Sequence, residues 1–196
     1  MSARGWRGFD AAAPPAARPL AGLPQADVEA QLAAALQNKA GAAGAHCIHE
    51  LWMRGEFAAR IEVALAALWR CAAASIPEWL PMRYVHCLSM VYEVALAFSA
   101  TRRGGCNVYL ILLDFTDRHR GPHGLYVGMS RYAPARRFDQ HKAGIHAAGS
   151  VLKRGLEVLT GPTLHLQHIA RAEALRIEAQ LAAALRDAGL LVEGGH

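Results

Sequence analysis

Asn107-Val108-Tyr109-Leu110-Ile111-Leu112-Leu113-Asp114-Phe115 and the later Gly124-Leu125-Tyr126-Val127-Gly128 decide the fold of this chain. The first stretch is rich in residue types that favour extended backbone, and the second is short and equally apolar. Between them, Thr116 to His123 is polar and carries Gly121-Pro122, a turn signal. Two strands joined this way predict a hairpin.

The residues downstream extend the pattern. Pro134 suits the first turn of a helix running to about Lys142, and Gly144 ends it. Gly149 to Arg154 reads as a further short helix or turn. Thr163 to Ile169 alternates and predicts a third strand. Ala170 to Leu185 is built of good helix formers and closes at Gly189. Leu190-Leu191-Val192 can add a last strand. The order β-β-α-(α)-β-α implies an α+β fold, with a small sheet of about three strands flanked by helices.

Upstream the character differs. Alanine is abundant and the pattern is helical: Asp27 to Lys39, a long His46 to Ala74, and Met82 to Phe98, punctuated by Pro77 and Pro81. Thr101-Arg102-Arg103-Gly104-Gly105 reads as a linker. The expected plan is a flexible Pro/Ala/Gly tail over 1–25, an all-helical region over 26–104 and the sheet domain over 105–196.

Composition narrows the class. The chain has 196 residues, and 53% are apolar, enough for a packed core and too many for global disorder. The net charge of +5 is uneven. Residues 1–100 hold eight Lys/Arg and eight Asp/Glu, whereas 101–196 hold thirteen against eight. The whole excess lies in the sheet half, which favours a polyanionic partner, nucleic acid above all. Cys47, Cys71, Cys87 and Cys106 form no CxxC pair. Met1 to Leu23 has no apolar run of signal type, and no stretch reaches the ~18 apolar residues of a membrane span. Reduced thiols, a cytoplasmic location and no membrane partner are expected.

Glu178 stands out chemically. Leu175, Glu178, Leu181 and Leu185 are spaced to share one helix face, so a carboxylate interrupts an apolar stripe. It must be paired, hydrogen-bonded or bound to a metal. A structural bridge to an arginine such as Arg137 is one solution.

These segments together resemble the GIY-YIG nuclease family. Asn107-Val108-Tyr109 stands for the first signature element and Leu125-Tyr126-Val127-Gly128 for the second. Ser130 falls near the family's small hydroxyl position. Arg136-Arg137-Phe138-Asp139-Gln140-His141 resembles the family's arginine helix, and Glu173 to Ala179 the helix with its metal-binding glutamate. The resemblance covers about the last 90 residues. Asn107 replaces the leading glycine, and Glu193 or Gly194 stands where the family has a late asparagine.

The resemblance implies metal-dependent hydrolysis of a nucleic-acid phosphodiester, DNA favoured. Tyr109, Tyr126, Arg137, His141 and Glu178 are the catalytic set, with Tyr109 as base and Tyr126 in support. Glu178 is the ligand of Mg²⁺, with Mn²⁺ as a substitute. Ser130, Arg136, Lys142, Lys153 and Arg154 are the expected substrate-binding residues. On chemistry alone either tyrosine can take the proton of the attacking water, provided a cation lowers its ordinary pKa of about 10. Arg137 can hold the phosphate by its planar fork, and His141, one turn on, can relay a proton or hold a phosphate. The alternative is a non-catalytic nucleic-acid-binding or scaffold module with the same fold.

Other signals carry less. His46-Cys47-Ile48-His49-Glu50 has metal-like spacing, but Met53 stands where a zinc protease needs its second histidine. An ordinary helix face is expected there. His165 and His168 are expected to point to opposite sides of a strand.

Overall fold

The computed structural model describes residues 10–101, 103–117 and 122–195. It is α+β and divides into two compact units, 1–84 and 85–196. The division falls at Tyr84, some twenty residues before the Gly104-Gly105 linker. None of the helices is long and apolar enough to cross a membrane, among the described residues.

The first unit is built on α1 (Gln25–Gln37), α2 (Gly41–Met53) and α3 (Ala58–Ala72). The long helix expected from His46 to Ala74 is two helices. Gly55 adopts φ +81°, and the Gly55 and Glu56 amides donate back to Trp52 and Leu51. Only a residue without Cβ takes that backbone cheaply, so the helix ends there. A Cβ at Gly44 would stand 2.5 Å from Leu68 Cδ1, so α2 and α3 meet closely because position 44 is bare.

α2 is buried almost all round, including His46, His49 and Glu50. The Glu50 carboxylate accepts from Arg18 Nη2 at 2.8 Å and from Arg54 Nε at 2.7 Å. Arg54 also donates to the carbonyls of Leu20 and Leu23. These bonds fasten the segment before α1 onto α2, with Pro15 and Leu20 buried. The expected tail is therefore folded from residue 10 onward; residues 1–9 lie outside the described residues.

The second unit opens with α4 (Leu88–Leu96), shorter than the helix expected from Met82. The Tyr84 ring stacks on Trp52 at 5.4 Å in the first unit, while Val85 already belongs to the second. Then follow β1 (Asn107–Asp114), β2 (His123–Ser130), α5 (Pro134–Lys142), α6 (Gly149–Arg154), β3 (Gly155–Val158), α7 (Thr160–Thr163), α8 (Arg171–Asp187) and β4 (Val192–Gly194). The sheet order is β3-β1-β2-β4. β1 pairs antiparallel with β2 and β3, and β4 runs parallel to β2. β1 is buried along nearly its whole length, as a central strand covered on both faces must be.

The third strand is Gly155–Val158, not Thr163 to Ile169. Gly161-Pro162 starts a helical turn instead, and the Gln167 side chain donates to Val108 O at 2.8 Å and Thr163 O at 2.9 Å. A side-chain amide there takes the place of a backbone ladder, leaving one bridge between Cys106 and Ile169. Asn107 is also used: its amide donates to Tyr132 O and accepts from His168 N, so it clamps two loops.

Replacing Arg54 by Ala should lower unfolding free energy by about 3 kcal/mol in urea titration, because it strips Glu50 of one partner and orphans carbonyls. Burial alone would raise the Glu50 carboxyl, but the bonds to Arg18 and Arg54 and their charges outweigh it and hold it below its ordinary value. That stabilisation is present above the unfolded carboxyl's pKa and fades as pH falls through the lower folded one. The Arg54→Ala penalty should shrink on acidification in the same titration.

Candidate functional site

β1 and β2 place the two signature tyrosines. In the antiparallel register Tyr109 faces Gly128 and Tyr126 faces Ile111, so both rings rise from one face of the sheet. Their centroids are 6.2 Å apart. A Cβ at Gly128 would stand 2.7 Å from Tyr109 Oη and 2.7 Å from Tyr126 Cε1. The glycine of the second signature element is needed because any side chain there would occupy the space of the two rings.

α5 brings Arg137 and His141, one turn apart on one side of the helix. Tyr109 Oη lies 3.2 Å from His141 Nε2, and the His141 ring meets that of Tyr126 edge-on at 5.8 Å. The backbone N–H of Ala148 donates to His141 Nδ1 at 3.0 Å. Nδ1 is thus an acceptor, so neutral His141 carries its proton on Nε2 and donates it to the Tyr109 oxygen. Burial and the Arg137 charge push His141 down to about 4, so it is neutral near pH 7.

Arg137 is held by the loop after α5. It donates to Gln140 Oε1, to Ile145 O at 3.2 Å and to His146 O at 2.8 Å. His146 has φ +44°, a backbone position that turns the loop. Arg137 also bonds the Tyr109 hydroxyl and so works against the rise that burial gives that group.

α8 supplies Glu178. The buried face of α8 is Ala174, Ile177, Glu178, Leu181, Ala182 and Leu185. Leu175, expected in that stripe, is 40% exposed; it lies about 100° round the helix from Ala174. Glu178 is 9% exposed, and its negative charge acts on both tyrosines. Burial raises the Tyr109 and Tyr126 hydroxyls above their ordinary range; Glu178 adds to the rise and Arg137 opposes it. Five side chains from four segments therefore converge, with one cation and one anion acting on a pair of phenols.

The expected substrate-binding residues divide. Ser130 is buried, and its hydroxyl accepts from the Tyr132 amide at 3.0 Å. Arg136 lies over the Tyr132 ring, 4.8 Å from its centre. Lys142 donates to Leu152 O and Gly155 O, bracing α6 and β3. Arg154 grips Asp117 through both oxygens and donates to Asp114 O. Lys142 and Arg154 thus hold backbone and loop, while Lys153 is exposed on α6.

His165 and His168 do not alternate along a strand. His165 Nε2 lies 3.1 Å from Ala95 O and 3.0 Å from Phe98 O, and His168 takes φ +59°. Sequence reasoning missed Gly128, Ala148 and the 145–146 carbonyls. The glycine was visible as part of the Tyr-Val-Gly element, but backbone partners leave no residue-type signal. Among the described residues no three of His, Cys, Asp and Glu gather as a metal cluster. A donor set of one carboxylate fits Mg²⁺ or Mn²⁺, which keep several waters and share substrate oxygens, and does not fit a structural zinc site.

Comparison with protein-family models, with curated proteins and with solved structures finds no match to this chain.

His141 should titrate with a midpoint near pH 4 when followed by its ring Cε1 proton in NMR. The unfolded histidine protonates near ~6.5, so the unfolded state binds more protons between those values. The His141 contribution to stability should fall as pH drops from 6.5 to 4 and level off below. His141→Gln should remove that contribution and make this segment of the stability curve less steep, with His49 supplying much of the rest.

Proposed function

We propose that residues 107–194 form a GIY-YIG-type nuclease domain that hydrolyses a nucleic-acid phosphodiester, DNA favoured, with a divalent metal. The observation that carries the reading is that Arg137, His141 and Glu178 all act on the Tyr109–Tyr126 pair, whose rings fill the bare position of Gly128. The surplus of basic residues in this half supports a polyanionic substrate.

Glu178 would hold Mg²⁺, with Mn²⁺ as a substitute; when bound, the ion supplies Lewis-acid stabilisation of the phosphoryl oxygens. Arg137 offers its guanidinium to the phosphate and stabilises charge developing in the transition state. Its fork is oriented beforehand by the 145–146 carbonyls, so little is spent on ordering it. The water's proton goes to a tyrosine. Tyr109 is only 1% exposed and its oxygen already accepts from His141, whereas Tyr126 is half-buried. We therefore give the base role to Tyr126 and the supporting role to Tyr109. His141, neutral and fixed in one tautomer, donates to the Tyr109 oxygen, and the Tyr109 hydroxyl bonds that of Tyr126. With both phenols raised by burial, the reactive phenolate becomes more abundant as pH rises.

The second reading is a nucleic-acid-binding module that does not cut. One observation favours it: β4 sets Glu193 beside Tyr126 and Gly194 beside Val127, with no asparagine there. The four cysteines are unbridged, which fits a reducing compartment, and we place the protein in the cytoplasm.

Nicking of supercoiled plasmid in Mg²⁺ or Mn²⁺ tests the two readings. Wild-type protein should cut, and Glu178→Ala should lose at least about a thousandfold in rate. The rate should climb roughly tenfold per pH unit between pH 7 and 9 through phenol ionisation, and Tyr126→Phe should abolish the climb. Binding without cutting by wild type establishes the module instead.

A further inference from the structure

A second feature lies one residue from Arg137. Tyr132, in the loop between β2 and α5, leaves 44% of its surface in solvent. The backbone of this exposed loop tyrosine is held at two points, and its ring meets one side chain. Its carbonyl accepts from Asn107 Nδ2 at 3.0 Å, and its amide donates to Ser130 Oγ at 3.0 Å. The Arg136 guanidinium sits 4.8 Å from the ring centre. Asn107 and Ser130 are themselves buried, so the clamps are fixed to the ends of β1 and β2. Arg136 rests on a ring and not on a carboxylate, so its charge stays available to a phosphate. Asn107, which holds Tyr132, stands two residues before Tyr109 on β1, which puts the ring–guanidinium layer near the proposed site.

We propose that Tyr132 and Arg136 form a stacking platform for one unpaired DNA base next to the scissile phosphate. This rests on the nuclease reading above and narrows its substrate class to DNA with a frayed, flapped or single-stranded nucleotide at the cut. Aromatic rings and guanidinium planes stack on any base, and in a duplex those base faces are already covered by neighbours. A platform whose backbone is fixed before binding has less to order on contact. The clamps explain why Asn107 and Ser130 have side chains able to hydrogen-bond the Tyr132 backbone.

The test uses the full chain carrying Glu178→Ala, so that binding is read without cutting. The probes are a DNA duplex with a short unpaired flap bearing 2-aminopurine, and the fully paired duplex of the same length. The fluorophore in the flap should be quenched on binding. Tyr132→Ala should remove the quench and weaken flap binding about tenfold, leaving duplex binding as it was; Tyr132→Trp should restore both. Arg136→Gln should weaken the flap complex more than the duplex complex. Equal flap affinity in Tyr132→Ala, an unquenched flap in a formed complex, or no DNA binding at all overturns the platform. The nuclease reading fails separately, if wild-type protein leaves every DNA uncut while the quench survives.

Discussion

The second unit depends on the absence of a side chain at position 128. Antiparallel pairing sets Gly128 directly across from Tyr109, and the space a Cβ would fill is taken by the two phenol rings. This constraint fixes where α5 can approach, because His141 must reach the Tyr109 oxygen over the same bare patch. An alanine here would push the rings apart and withdraw the hydroxyl that His141 holds, with the sheet itself intact. A glycine chosen for the room it leaves works differently from Gly55, which serves a backbone angle.

The electrostatics around the rings follow from burial. Taking two phenols out of water disfavours their charged forms, and the Glu178 carboxylate disfavours them further. Arg137 is the counterweight, and its position rests on carbonyls that carry no net charge. A carboxylate partner would have neutralised it, whereas carbonyl dipoles orient it and leave its full charge for an incoming anion. The amide of Ala148 does comparable work on His141, choosing the ring nitrogen that bears the proton. Main-chain groups thus set the chemistry of the side chains.

Much of this was legible in the sequence, and the parts that were not share a cause. The hairpin, α5, α6 and α8 stand where residue types predict them, since local propensity and burial agree there. The third strand was misplaced because alternation in Thr163 to Ile169 mimics a strand, while Gln167 satisfies β1 by a side-chain bond that no periodicity encodes. The long first-unit helix was misread because Gly55 looks like any helical glycine until its φ is known. The five side chains of the proposed site were named through the family resemblance of their segments. Ala148, Ile145 and His146 contribute only backbone, so residue type was silent about them. Lys142 and Arg154 also bond backbone and loop, partners that residue type does not announce.

The parallel pairing of β4 with β2 has a consequence for biosynthesis. Parallel neighbours need a long crossover, here the whole run from β2 through α8. A nascent chain released from the ribosome as far as α8 already carries all five site side chains, yet the strand bearing Tyr126 still has a bare edge. Closing that edge is a contact between residues far apart in order of synthesis, which places it late in folding. Completion of the sheet is thereby deferred until translation has passed residue 194.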